Sequence, residues 1–201
     1  MHSRVYQEFE RICSGRDIRG SVLEVGAAPS DDCLLNMKAL ANVSEKIGID
    51  LDGPYDFKDF KVLKANGNAM DCFEDGRFDA VFCSSVLEHD KYFWKTLAEI
   101  KRVTKPGGLI LVGVPGYRWL NGERVKSLMS KIPLVRALRS HEYLSMFFYS
   151  TITLQVHNHP GDYYRFTMQC VREVFLEGLE NIDVRSVMLP PRIIGVGTKP
   201  L

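Results

Sequence analysis

Two acidic residues lie at a spacing that suits the binding of a nucleoside. Glu24 is part of the apolar run 22–25, which ends at Gly26. About two dozen residues later, Asp50 ends a second apolar run, 47–49. A small residue after a buried strand lets a ligand approach the backbone closely. An acid after the next strand can accept hydrogen bonds from both ribose hydroxyls, so the pair predicts a nucleoside cofactor site.

Histidines are the second group of side chains with chemical potential. His89 follows an apolar strand, and imidazole can exchange a proton near neutral pH, so His89 is predicted as a general base or a substrate ligand. His157 and His159 receive the same base or substrate-binding interpretation. The mixture around them suits a sugar or another polar ligand, and the neighbouring substrate-binding candidates are Asp162, Tyr163 and Arg165. A hydrogen-bonded structural cluster is the alternative, and no metal is expected because an acid-rich partner set is missing.

The pattern of apolar residues predicts the elements that position these side chains. Strands are expected at about 21–26, 46–50, 61–65, 78–84, 109–114, 184–189 and 193–198, and helices at about 4–13, 91–103 and 168–179. A further helix is expected after the first strand, capped by Ser30, Asp31 or Asp32. Residues 51–60 leave little room for a crossover helix. The repetition predicts an α/β, Rossmann-like, doubly wound sheet, mostly parallel, with right-handed crossovers.

Composition sets the broad class. A chain of 201 residues with 45% hydrophobic content is long enough for one domain, 1–201, with a sizeable core. The net charge of +1 gives no general attraction to nucleic acid or membranes. The five cysteines are scattered, without a Cys-x-x-Cys pair, and neither a secretory signal nor a membrane span is evident. A cytoplasmic protein without nucleic-acid partners is expected, and a homodimer is left open.

Residues 117–160 interrupt the repetition and are predicted to form a helical insertion that covers the acceptor side of the site. Between Tyr117 and Ser140 there are six basic residues and one acid. This excess favours an anionic acceptor, such as a nucleotide-linked sugar or a phosphorylated or carboxylated metabolite. A solvated basic face is the alternative. Aromatic and basic residues are not interleaved here as a nucleic-acid groove would need.

Six short motifs together resemble the class I S-adenosylmethionine-dependent methyltransferases, of the type 11-like kind. They are Val-Leu-Glu-Val-Gly (22–26), Ile-Gly-Ile-Asp (47–50), Gly-Asn-Ala-Met-Asp (67–71), Arg-Phe-Asp-Ala-Val-Phe (77–82), Val-Leu-Glu-His (86–89) and Lys-Pro-Gly-Gly (105–108). The match spans about 20–115, with a weaker one over 157–199. Residues 159–167 also resemble a segment of bacterial methyltransferases of sugar and polysaccharide pathways.

The resemblance implies S-adenosylmethionine as cofactor and a seven-stranded sheet whose last strand is antiparallel. It implies that the acid in the first strand anchors the methionine part, that the acid after the second strand binds ribose, and that three later residues flank adenine. The implied cofactor-binding residues are Glu24, Gly26, Ala28, Asp50, Leu51, Asn68, Ala69, Met70 and Ser84. The expected activity is O- or N-methylation of a small acceptor, with anionic and sugar-containing molecules as candidates.

Departures from the family pattern keep two other functions open. The usual Gly-x-Gly-x-Gly turn reads Gly26, Ala28 and Ser30, and the usual adenine-side acid is Asn68. A non-catalytic methyltransferase-like module would bind a protein partner through residues 117–150. An NAD-dependent oxidoreductase on a similar sheet is the second alternative, against which the incomplete glycine turn and the lack of a Tyr-x-x-x-Lys pair argue.

Overall fold

The computed structural model of the chain describes residues 2–117, 131–133 and 161–201. Residues 2–117 and 161–201 belong to one compact unit that is built on an eight-stranded sheet. Most of the segment 117–160, including His157 and His159, lies outside the described residues. Across the part of the chain that is described, no helix is long and apolar enough to cross a bilayer.

The sheet is mixed but mainly parallel. Its strands are β1 (Ser21–Val25), β2 (Glu45–Asp50), β3 (Tyr55–Phe57), β4 (Phe60–Lys64), β5 (Phe78–Ser84), β6 (Thr104–Pro115), β7 (Glu180–Val187) and β8 (Arg192–Thr198). Their order is β3-β4-β2-β1-β5-β6-β8-β7. Strands β4, β2, β1, β5 and β6 run parallel, and β8 pairs antiparallel with both β6 and β7. The predicted Rossmann-like fold is confirmed, with eight strands instead of seven.

The additional strand lies where a crossover helix would be expected in a regular doubly wound sheet. β3 forms an antiparallel hairpin with β4 through a two-residue turn at Lys58 and Asp59. Lys58 adopts a φ of +52°, and the rings of Phe57 and Phe60 contact each other across the turn, with centroids 5.6 Å apart. The segment is therefore too short for a helix, as predicted, but it uses its residues to extend the sheet.

Helices cover both faces of the sheet. They are α1 (Ser3–Ser14), α2 (Phe93–Val103) and α3 (Met168–Cys170), which continues as a wider helical turn over Val171–Phe175. On one face, Phe9 of α1 packs with Val22 and Leu111. On the other face, Leu97 of α2 packs with Leu23. Because side chains alternate along a strand, the buried strands β1 and β6 contribute to both clusters.

The prediction of a helix after β1 is wrong. This segment forms two short 3₁₀ turns, Leu34–Asn36 and Lys38–Leu40. Between them the backbone of Met37 is extended, with φ −57° and ψ 134°. Its apolar residues are nevertheless buried, because tight turns bring neighbouring side chains into the same core. The turns also leave the Leu35 amide free to donate to the Glu24 carboxylate. In the interior of a regular helix this amide would donate to a backbone carbonyl instead.

Candidate active site

The sheet places the predicted cofactor residues at one edge. β1 lies between β2 and β5, and all three strands are parallel, so their carboxyl ends point the same way. Gly26 follows β1, Asp50 ends β2 and Ser84 ends β5. In open α/β sheets, ligands bind in the crevice beyond these ends, where the strand order reverses.

The turn after β1 requires a glycine at its first position. Gly26 has a φ of +79°, and a Cβ atom there would lie 2.2 Å from Cγ2 of Val86. The amides of Gly26 and Ala27 both donate to the Ile49 carbonyl, at 2.8 and 3.1 Å, which ties the turn to β2. Ala28 is exposed and is not among the described residues with positive φ, so alanine causes no backbone strain at this position.

Glu24 lies beneath the turn and is almost completely buried. Its Oε2 atom accepts hydrogen bonds from the Cys33 thiol (2.9 Å) and the Leu35 amide (3.2 Å). Burial raises the pKa of Glu24 to about 7, although these hydrogen bonds act in the opposite direction. The carboxylate therefore fixes the segment that follows the glycine turn, and direct anchoring of the methionine part stays a prediction.

Asp50 occupies the position expected of a ribose ligand. Its Oδ1 atom accepts a hydrogen bond from the Asp52 amide at 2.9 Å, which orients the carboxylate at the end of β2. Leu51 is 65% exposed beside it. Tyr55 of β3 donates its hydroxyl proton to the Ala27 carbonyl at 2.6 Å. Burial, followed by the charge of Asp50, raises the pKa of Tyr55. Through the hydrogen bond from Tyr55 to Ala27, the added hairpin supports the glycine turn from the side of Asp50.

The loop after β4 brings an amide to the same edge. The Asn68 Nδ2 atom donates to Asp90 Oδ2 and to Thr96 Oγ1, so the remaining hydrogen-bonding capacity of the side chain is its carbonyl oxygen. An accepting oxygen is what the adenine amino group requires. Ala69 is exposed, whereas the Met70 side chain is fully buried in the core. The placement of Met70 therefore differs from the expected packing on adenine.

A charged group is buried in the loop after β5. The Glu88 side chain has no exposure, and its Oε1 atom lies 3.6 Å from Arg192 Nη1 and 4.0 Å from His89 Nε2. Burial raises the pKa of Glu88 to about 7, while its own backbone amide and then the nearby charges of Arg192 and Arg165 lower it in part. Ser84, which ends β5, is also buried, and its hydroxyl has no hydrogen-bond partner among the described residues.

Four residues predicted to act on the acceptor lie near this group or join the same loop. His89 keeps 21% of its side chain exposed. Arg165 and Asp162 form a two-pronged ion pair, and the Tyr163 amide donates to the Glu88 carbonyl at 2.8 Å. The structure thus brings the segment 162–166 against the loop after β5. No group of three or more His, Cys, Asp or Glu in the described residues is arranged for a metal ion.

Three residues of this region were not assigned from the sequence. Glu88 lies in the motif 86–89, in which only the adjacent His89 is predicted to have a chemical role. Tyr55 gave no signal, because an isolated tyrosine in a turn-rich segment has many possible roles. Arg192 begins β8, more than a hundred residues after Glu88, and only the pairing of β8 with β6 brings the two together.

The described residues are compatible with S-adenosylmethionine. The turn at Gly26 carries no side chain and is followed by the small residues Ala27 and Ala28, of which Ala28 is exposed. Asp50 offers a carboxylate for the ribose hydroxyls, and Asn68 offers an oxygen for the adenine amino group. The cofactor would therefore extend from the loop after β4, across the end of β2, to the turn after β1.

Comparisons with known proteins agree with this arrangement. A family model described as a methyltransferase domain matches residues 32–112. A demethylmenaquinone methyltransferase from Symbiobacterium thermophilum is 28% identical over 198 residues, which cover 89% of this chain and 75% of that protein. A highly reducing polyketide synthase from Aspergillus niger is 26% identical over 132 residues, or 55% of this chain, but the match spans only 5% of the synthase.

A solved structure supports the fold over the whole length. The N-methyltransferase NodS from Bradyrhizobium japonicum, in complex with S-adenosyl-L-homocysteine, superposes with a TM-score of 0.62 at 10% identity. The match covers 99% of this chain and 87% of NodS. The fold, the family match and the relatives confirm the predicted family and its cofactor, S-adenosylmethionine. The chain therefore matches a methyltransferase domain over residues 32–112, and its sheet is the one expected from the resemblance to class I S-adenosylmethionine-dependent methyltransferases.

Proposed function

We propose that this chain transfers a methyl group from S-adenosylmethionine to an oxygen or nitrogen atom of a small acceptor. The observation that carries the proposal is the convergence of the Gly26 turn, Asp50 and Asn68 at the carboxyl edge of the parallel strands. A non-catalytic module would have no need of a carboxylate and an amide oxygen placed for ribose and adenine beside this turn. The convergence therefore favours a working cofactor site.

The protein has one main task in such a reaction. The sulfonium of the cofactor supplies a methyl group that is already activated, so the residues of the site need to hold the acceptor in line with it and exclude water. Asp50 and Asn68 orient the nucleoside, and the backbone after Gly26 receives the methionine part. Where the nucleophile carries a proton, a base is also needed, and His89, His157 and His159 are the sequence-based candidates.

The acceptor end is proposed from charge and residue type. The basic excess between residues 117 and 140 and the substrate-binding candidates Asp162, Tyr163 and Arg165 suit an anionic or sugar-containing molecule. Tyr163 is 49% exposed and therefore available for a ligand, with Lys91 5.5 Å from its ring. Arg165 is held by Asp162, which fixes the orientation of its guanidinium group.

Calorimetric titration with S-adenosylmethionine and S-adenosylhomocysteine tests the cofactor assignment. Asp50→Ala should weaken binding by roughly 1–3 kcal/mol, because charged hydrogen bonds to the ribose are lost. Asp56→Ala is the matched control, since Asp56 is an exposed acid on β3, the next strand along the chain. Unchanged affinity in the Asp50 variant would remove the ribose assignment, and a parent chain that binds neither compound would refute the proposed function.

A further inference from the structure

The Glu88 carboxylate is buried and forms no hydrogen bond with another residue of the described part of the chain. No other described residue donates to Oε1 or Oε2, and Arg192 Nη1 likewise lacks an acceptor there. The two groups are 3.6 Å apart, which is close enough for attraction between charges but too long for a hydrogen bond. Each group therefore keeps hydrogen-bonding capacity that the folded chain does not use.

The burial of Glu88 without a hydrogen-bond donor from another residue is unfavourable for the stability of the fold. Burying a carboxylate is costly unless hydrogen bonds and opposite charges compensate. The charged groups that face Glu88 are Arg192 from β8 and Arg165 and Asp162 from the segment after residue 160, and the titratable His89 faces it from its own loop. A buried group with unused acceptors in an otherwise well-bonded core requires an explanation, and a ligand that supplies the missing donor is one.

The position of Glu88 indicates which ligand this is. Val86, two residues earlier, packs against Gly26, so the loop after β5 borders the proposed cofactor turn. The Glu88 carbonyl accepts hydrogen bonds from the amides of Tyr163 and Tyr164, which hold the loop in place. Arg192 and His89, which lie beside the carboxylate, keep 15% and 21% of their side chains exposed, so Glu88 is separated from solvent by single side chains.

We propose that Glu88 is the acceptor-side base and that it selects an acceptor whose nucleophile is a hydroxyl or an amine. The inference rests on the proposed function. In the step, the O–H or N–H bond of the acceptor breaks and its proton moves to the Glu88 carboxylate. The freed electron pair bonds to the methyl carbon, whose bond to sulfur breaks with its electrons left on sulfur. A carboxylate nucleophile would be repelled by Glu88 and needs no base.

A cofactor analogue tests this without knowledge of the acceptor. Sinefungin carries a primary amine where S-adenosylmethionine carries its methyl group, so it presents N–H donors at the position of the reacting atoms. The parent chain should bind sinefungin about tenfold more tightly than S-adenosylhomocysteine, as expected for one hydrogen bond to a charged group. In Glu88→Gln the two affinities should agree within about threefold, while that for S-adenosylhomocysteine stays at the parent value.

Control variants separate this result from a general defect. Glu10→Gln should keep the preference for sinefungin, because Glu10 also has a buried unpaired oxygen but lies on α1. The double variant Glu88→Gln with Arg192→Met removes both charges together and serves if the single variant does not fold. Equal affinities in the parent, or a preference that survives the loss of the carboxylate, would overturn the role of Glu88. Absence of all binding to the parent would instead refute the proposed function.

Discussion

Replacing Gly26 by alanine should destabilise the fold through two separable effects. A side chain at φ +79° costs about 1–2 kcal/mol, because Cβ meets the following carbonyl oxygen in the left-handed region. The new Cβ would also lie 2.2 Å from Val86 Cγ2 in a packed loop, and overpacking adds about 1–3 kcal/mol. We therefore expect Gly26→Ala to lower the free energy of unfolding by about 2–5 kcal/mol.

Urea unfolding of a small set of variants measures both effects. Gly178→Ala isolates the backbone cost, since Gly178 has a φ of +76° but nothing within 4 Å of its added Cβ. Val86→Ala removes the colliding methyl, so the double variant with Gly26→Ala should recover the packing cost but keep the backbone cost. Equal losses in Gly26→Ala and Gly178→Ala, or strictly additive effects of the Gly26 and Val86 variants, would refute the role of this contact. Titration with S-adenosylhomocysteine on the same variants should show the weakest binding for Gly26→Ala alone, because its turn must shift away from Val86.

Two further predictions concern charge. Burial raises the pKa of Glu24 from 4.5 to about 7, so between these values the folded protein keeps a proton that the unfolded chain releases, and stability falls as pH rises. Glu24→Gln should therefore match the parent in free energy of unfolding below about pH 4.5 and exceed it by up to about 3 kcal/mol at about pH 8, and equal stability at the higher pH would contradict the assignment. The affinity of the methyl acceptor should fall as ionic strength rises if the acceptor is anionic, and a binding assay that shows no salt effect would count against that charge.

The parallel strands and the cofactor edge could be predicted from the sequence. Short apolar runs that end in Gly26 and Asp50 define buried strands and their carboxyl ends without any knowledge of distant contacts. The spacing of the motifs fixes their order in the sheet, because sequential parallel strands need crossovers of limited length and one hand. Strands β1, β2 and β5 consequently agree with their predicted bounds to within a residue at each end.

Local preferences were insufficient where the tertiary structure supplies competing contacts. Leu34 and Leu35 have helix-forming neighbours, yet the need to bury adjacent side chains and to satisfy Glu24 favours tight turns. Met70 follows the predicted adenine loop, but its side chain is drawn into the core beneath α2. Both differences arise because burial depends on what surrounds a residue in space, which periodicity describes only in part.

The sequence by itself predicted the family resemblance, the sheet and the candidate residues for the nucleoside, because these depend on short motifs whose geometry is local. Only the tertiary structure decided the surroundings of Glu88 and of the glycine turn. The pairing of β8 with β6 brings Arg192 to Glu88, and the hairpin of β3 brings the Tyr55 hydroxyl to the Ala27 carbonyl. Whether a carboxylate is buried, paired or left with unused hydrogen-bonding capacity depends on groups distant in sequence, so that property exists only once the chain is folded.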